Sequence, residues 1–242
     1  MYISLHIPKT AGTTLLTYLR KHFKVKEDYE LVKCLETKFA TNTDYAMSHA
    51  ECIEAGAIVK LKQVLLPLKY QVIHGHFSAN KYSLTPGSKM FTFVRNPAER
   101  LLSHYFYWKA IYDIGDRRYK FINEIFEKNF SIDEFIFHPY LRNYQSKYID
   151  GLRIDKFIFV GVADDGYFDL DLRYLFHHIL KIPLDDDRIK IENSTNVRYE
   201  EIIKCIDMGK LRRHHSDDYE LYNLALRNSV IRHKGCGDEP PK

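Results

Sequence analysis

The stretch His6-Ile7-Pro8-Lys9-Thr10-Ala11-Gly12-Thr13-Thr14 decides how this chain reads. Tyr2 to Ile7 leads in with the alternation of a strand. Thr13 to Phe23 leads out with Leu15, Leu16, Leu19 and Phe23 on one helical face. A strand, a tight loop and a helix start make an anion site. The first N–H groups of a helix have no internal partners, and the macrodipole is positive there. Gly12 lets the backbone approach a ligand, Thr13 and Thr14 add hydroxyl donors, and Lys9 adds a point charge. The expected anion-binding set is Lys9, Thr10, Ala11, Gly12, Thr13 and Thr14. The order is not that of the ATP-binding loop G-x-x-x-x-G-K-[ST], because Lys9 precedes Gly12.

Outward from the loop, further strands are expected at Tyr70 to His74, Lys89 to Val94 and Lys156 to Val162. Helices are expected at Pro97 to Ile111, Tyr119 to Lys128, Ile132 to Phe137, Phe168 to Leu180, Tyr199 to Ile206 and Asp217 to His233. Asn96-Pro97-Ala98-Glu99 supplies an N-cap, a proline at the first helical position and a glutamate that can close a capping box. Ser48 to Leu68 reads as partly helical and ended by Pro67. Pro183 to Asn196 reads as a loop with a short strand near Ile189. The expected fold class is α/β, a P-loop-like parallel β-sheet with helices on both faces. Residues 1–235 read as one domain and 236–242 as a flexible tail.

Composition bounds the function. The chain has 242 residues, 45% hydrophobic and 28% charged, which suits a packed core rather than disorder. A formal charge of +4 is too mild to argue for nucleic acid and favours an anionic ligand over a cationic one. Cys34, Cys52, Cys205 and Cys236 lack C-x-x-C spacing, so no metal or redox site is expected. No apolar run reaches the roughly 20 residues of a membrane span. A cytoplasmic protein is expected, or a Golgi-lumenal one if an N-terminal anchor was removed.

Two more constellations share the expected sheet edge. In FTFVRNPAERLLS, Arg95 ends a strand, and Arg100 and Ser103 share a face of the following helix. Ligands of open parallel sheets sit at the carboxyl ends of the strands, so Arg95 and Lys9 arrive at one edge. Two cationic sites there suit a ligand with two separated anionic groups. In QVIHGHFS, His74 and His76 flank Gly75 at another strand end. Residues i and i+2 of a strand point the same way, and an ordinary histidine pKa near ~6.5 suits proton abstraction at neutral pH.

P-K-T-A-G-T-T after a first strand, with F-V-R-N-P-x-x-R-x-x-S downstream, resembles the sulfotransferases that use 3′-phosphoadenosine 5′-phosphosulfate (PAPS). Asn143-Tyr144-Gln145-Ser146-Lys147-Tyr148, FIFVGVADD and DDYELYNLA resemble later segments of that family. The resemblance is closest to the carbohydrate-modifying branch typified by the uronosyl (heparan/dermatan) 2-O-sulfotransferases. It implies that the first motif holds the 5′-phosphosulfate, and that Arg95, Ser103 and Arg100 serve the 3′-phosphate. It ranks His76 first as base with His74 as partner, and places Asn143, Gln145 and Lys147 on the acceptor. It implies a carbohydrate acceptor, possibly an acidic one, and PAPS as donor with PAP as product. A sulfuryl group carries one negative charge, so Lys9 and backbone donors can suffice without a metal.

Two rival readings remain at this point. A P-loop kinase or NTPase would need Asp164-Asp165 for Mg²⁺. A silent nucleotide- or glycan-binding module would not need the His-Gly-His pair. His6 reads as support for the loop, and His104, His138, His177-His178 and His214-His215 as core or solvated residues. The resemblance places Asn193 to Asn196 in a loop over the nucleotide, and the residues alone read as a polar turn capping the next helix. Lys60, Lys62, Arg117, Arg118, Lys120, Arg142 and Lys147 could meet an acidic glycan.

Overall fold

A computed structural model describes residues 1–29, 65–82, 85–117, 120–149, 152–184, 189 and 199–234. Five strands form one sheet: β1 (Tyr2–Leu5), β2 (Val25–Asp28), β3 (Val72–Gly75), β4 (Lys89–Val94) and β5 (Phe157–Val162). Their order is β2-β3-β1-β4-β5, and every pairing is parallel. The helices are α1 (Gly12–His22), α2 (Pro97–Asp113), α3 (Lys120–Glu127), α4 (Ile132–Ile136), α5 (Tyr144–Ile149), α6 (Phe168–Tyr174), α7 (Tyr199–Lys204), α8 (Met208–His214) and α9 (Ser216–Lys234). The expected single helix over Phe168 to Leu180 changes pitch, because Leu175–Leu180 is a π-helical turn.

Strand alternation divides the core into two layers. Ile3 and Leu5 of β1 and Met90 and Val94 of β4 pack with Leu101 and Leu102 of α2 and Tyr222 and Ala225 of α9. Phe91, Phe93 and Phe159 face the other way, against Leu15, Tyr18 and Leu19 of α1 and Phe168 and Leu172 of α6. Both faces of the sheet are therefore covered by helices, as a parallel sheet requires. Each fully buried leucine-sized side chain contributes about 1.5–3 kcal/mol.

A buried carboxylate ties the last helix to the sheet. Asp171 of α6 accepts from Val162 N at 2.7 Å, Arg232 Nη2 at 3.1 Å and His233 Nε2 at 3.0 Å. No described helix is long and apolar enough to cross a membrane.

The structure corrects several local expectations. Val25–Asp28 is a strand that its charged sequence concealed, and it lies at the sheet edge, where charge is tolerated. Asn96 caps α2 through Ala98 N at 3.0 Å, but Glu99 does not close the capping box. Its carboxylate pairs with Arg95 instead. Pro67 does not end the segment before β3. Residues 65–69 are helical, and Tyr70 N still reaches Leu66 O at 2.9 Å, a bond that does not use the missing proline N–H. Asn193 to Asn196, the tail, and Cys34, Cys52 and Cys236 lie outside the described residues. Among the described residues, Cys205 is an exposed free thiol.

Candidate functional site

Strands β3, β1 and β4 are neighbours in the sheet. Their carboxyl ends deliver the histidines, the Lys9 loop and Arg95 side by side. This is the position where an open parallel sheet holds its ligand.

The loop is held in an unusual backbone conformation. Lys9 has φ 71° and Ala11 φ 58°, both left-handed without being glycine. Such residues cost of order 1 kcal/mol each and persist only where the surroundings over-determine them. Thr10 Oγ1 donates to Ile7 O at 2.8 Å, and Leu15 N donates to Ala11 O at 3.1 Å. Ala11 is the N-cap of α1 and offers no side-chain cap. A helix start without a side-chain cap is the kind of place that holds an anion. Thr13 is exposed, while Thr10 and Thr14 are buried.

Lys9 is half-buried, with Nζ 4.1 Å from the centre of the Tyr107 ring. Burial, and then the charge of Arg95, lowers its pKa to about 8. Two cations close enough to disfavour each other mark a place that an anion would stabilise.

Arg95 lies just past β4, and its main chain is clamped. Gln145 Oε1 accepts from Arg95 N at 2.9 Å, and Gln145 Nε2 donates to Arg95 O at 2.9 Å. Arg95 Nη2 pairs with Glu99 Oε2 at 3.1 Å. Its Nε is buried without a hydrogen-bond partner. Burial raises the Glu99 pKa against the pull of Arg95. The turn is braced below by Asp164, which accepts from Asn96 N at 2.9 Å and from Tyr222 Oη at 2.5 Å.

The histidines form a cluster of three. His76 Nδ1 lies 2.7 Å from His6 O. A carbonyl only accepts, so Nδ1 carries the proton and neutral His76 keeps its lone pair on Nε2. The His6 ring lies 4.3 Å from that of His76 and stacks 5.1 Å from that of His74. His74 is fully buried, with Nδ1 2.8 Å from Ser4 Oγ and Nε2 unpaired. Tyr29 meets the His76 ring edge-on at 4.9 Å. Burial lowers the His76 pKa to about 4, opposed by its bond to the His6 carbonyl. Burial, then His76 and Arg20, lowers that of His74 to about 3. Of the pair, half-buried His76 is the more accessible to a hydroxyl.

Gly75 between them is required by packing. A Cβ there would lie 1.7 Å from Asp28 O of β2.

Arg100 and Ser103 do share a face of α2, and both are buried. Arg100 Nη1 donates to His104 Nδ1 at 3.2 Å, and the guanidinium lies 4.8 Å from the centre of the Tyr144 ring. Its Nε and Nη2 make no hydrogen bond. Arg100 is fully enclosed in this state.

The Asn143–Lys147 segment folds as the start of α5 and is spent largely on the protein itself. Gln145 serves Arg95, as above. Asn143 Oδ1 accepts from Asp217 N at 3.2 Å, and Lys147 Nζ donates to Tyr140 O at 3.0 Å. Asp218 accepts from Gln145 N at 3.1 Å and from Ser146 N at 2.8 Å. The structure thus brings Lys9, Arg95, His74 and His76 together, and places Asn143 and Gln145 as braces.

Sequence reasoning gave little weight to His6 and none to Glu99, Tyr29 and Tyr107 as site neighbours. No periodicity shows Tyr29, which reaches the site through a partner distant in sequence, or Tyr107, which sits at an exposed helix position, and Glu99 reads in sequence as a capping residue. The register Leu5↔Gly75 is what brings His6 beside His76.

No family profile and no curated protein sequence matches the chain. Among solved structures, mouse sulfotransferase SULT7A1 complexed with PAP is similar to it. The TM-score is 0.39 and the identity 12%, over 95% of this chain and 84% of that one.

Proposed function

We propose that this chain transfers a sulfuryl group from PAPS to a carbohydrate hydroxyl, with His76 as general base. The observation that carries this reading is the adjacency of β3, β1 and β4, which sets a neutral imidazole, a lysine-bearing anion loop and an arginine at one edge. The residues fit a donor with two separated anionic groups. The uncapped start of α1 and Lys9 suit one group. The buried, unpaired Nε of Arg95 suits the other.

When bound, PAPS supplies the activated sulfuryl group. His76 Nε2 accepts the acceptor hydroxyl proton as the new oxygen–sulfur bond forms and the sulfur–oxygen bond to the 5′-phosphate breaks. Lys9 and the first-turn amides of α1 then face the phosphate oxygen left with the electron pair. His76 returns its proton to solvent, and the sulfate ester and PAP leave. The expectation of a carbohydrate acceptor, possibly acidic, rests on the resemblance of the motifs to the uronosyl branch.

Calorimetric titration with PAP and, separately, with ATP and Mg²⁺ tests the donor assignment. PAP is expected to bind. Tight ATP binding with no PAP binding overturns the assignment and favours a P-loop kinase or NTPase.

A further inference from the structure

We propose that His6 is a positioning residue that joins the donor loop and the base into one mechanical unit, a role that rests on reading His76 as the base. Three contacts converge on it. Its carbonyl accepts the Nδ1 proton of His76 at 2.7 Å and so fixes which nitrogen faces the acceptor. Its ring lies 4.3 Å from that of His76 and 5.1 Å from that of His74. The same ring fills the space over Gly12, where a Cβ would lie 1.9 Å from His6 Nε2 and 2.0 Å from its Cδ2. One imidazole therefore touches the first residue of α1 on one side and both candidate bases on the other.

Its other nitrogen, Nδ1, is buried without a hydrogen-bond partner. A buried nitrogen left unpaired is a cost that packing against this position must offset. The groups facing His76 include His6, His74, Tyr29 and Tyr148, with buried His104 within electrostatic reach. His6 also backs Gly12. A displacement of the loop, such as an anion entering it would cause, reaches His76 through this ring. Gly12 has a second reason to be glycine, beyond close approach of a ligand: a side chain there would evict His6.

The test reads ring nitrogens, which report tautomer and protonation without needing turnover. Histidine-labelled (¹⁵N) wild-type protein is compared with His6→Ala, His6→Phe and Gly12→Ala. Wild-type His76 is expected as the Nδ1-protonated tautomer, titrating at about 4. In His6→Ala the main-chain carbonyl that holds the Nδ1 proton remains, so the tautomer persists, while water enters beside His76 and its midpoint climbs toward the ordinary histidine value. Gly12→Ala is expected to act the same way, although the substitution is in the loop. It also keeps the test decisive should the His6 variants fail to fold. His6→Phe restores a flat ring and is expected to stay near wild type. Adding PAP to wild type shifts the His76 resonances, and His6→Ala loses that shift. A His76 titration unchanged in both His6→Ala and Gly12→Ala overturns the proposal. So does a His6→Phe variant that behaves like His6→Ala. Failure of PAP to bind wild type would remove the sulfuryl-transfer reading while leaving the ring-nitrogen result to decide the coupling by itself.

Discussion

Binding of PAP should draw a proton onto Lys9, and the size of the uptake follows from the structure. In the free protein the Lys9 pKa is lowered to about 8 by burial and by Arg95. A phosphate beside the ammonium favours the charged form and restores a value near the ordinary ~10.4. The uptake equals the neutral fraction of free Lys9: roughly a tenth of a proton at pH 7, half at pH 8 and nine-tenths at pH 9. The sign follows from the lowered pKa. Affinity is fully present below pH 8 and is lost as pH rises through that value. Between pH 7 and pH 9 the Kd should therefore weaken about tenfold, or about 1.4 kcal/mol.

Calorimetry in two phosphate-free buffers of different ionisation enthalpy reads the uptake directly. The phosphates of PAP lose their last proton near pH ~6, so they contribute little at pH 8 to 9. Lys9→Met should abolish the uptake and flatten the pH dependence. It should also weaken binding at pH 7 by about 1.5–3 kcal/mol, the worth of a charge-assisted contact. No uptake in wild type at pH 9, or the same uptake in Lys9→Met, would refute the placement of Lys9 against the bound anion.

Three further substitutions probe the supports. Gln145→Leu leaves both main-chain groups of Arg95 without their 2.9 Å partners; it should cost about 1–3 kcal/mol in thermal unfolding and weaken PAP, and unchanged affinity would show that the clamp is irrelevant to the ligand. Glu99→Gln removes the carboxylate that competes for Arg95, so PAP should bind roughly 2–5-fold tighter at low salt, and weaker binding would contradict an anion at Arg95. Asp171→Ala removes the partner of half-buried Arg232, buried His233 and Val162 N; it should lower stability by roughly 3–5 kcal/mol in a denaturant melt, with PAP affinity in the folded protein unchanged.

The donor loop, the arginine and the histidine pair were legible because each sits where a local pattern changes. Strand alternation stops at Ile7, Val94 and Gly75, and charged or titratable residues follow at once. A parallel sheet then places those ends at one edge. The strand order was not legible, because it depends on long-range pairing that leaves no local mark. That is why His6 read as a minor support, whereas β2 was missed because its charged sequence, VKED, lacks a strand pattern. The roles of Asn143 and Gln145 were hidden for the same reason. Their partners, Asp217 and the Arg95 main chain, lie 74 and 50 residues away. Arg100 shows the limit of helical-face arguments. The face was right, but only the packed structure shows that the guanidinium is fully enclosed beside His104 and Tyr144.

The central claim is that one strand edge carries both donor site and base. Transfer of ³⁵S from labelled PAPS to a panel of acidic and neutral polysaccharides, by wild type and by His76→Ala, tests it most directly. The account predicts label on a polysaccharide with wild type, and loss of that label with His76→Ala while PAP affinity stays nearly intact. Full transfer by His76→Ala would contradict it.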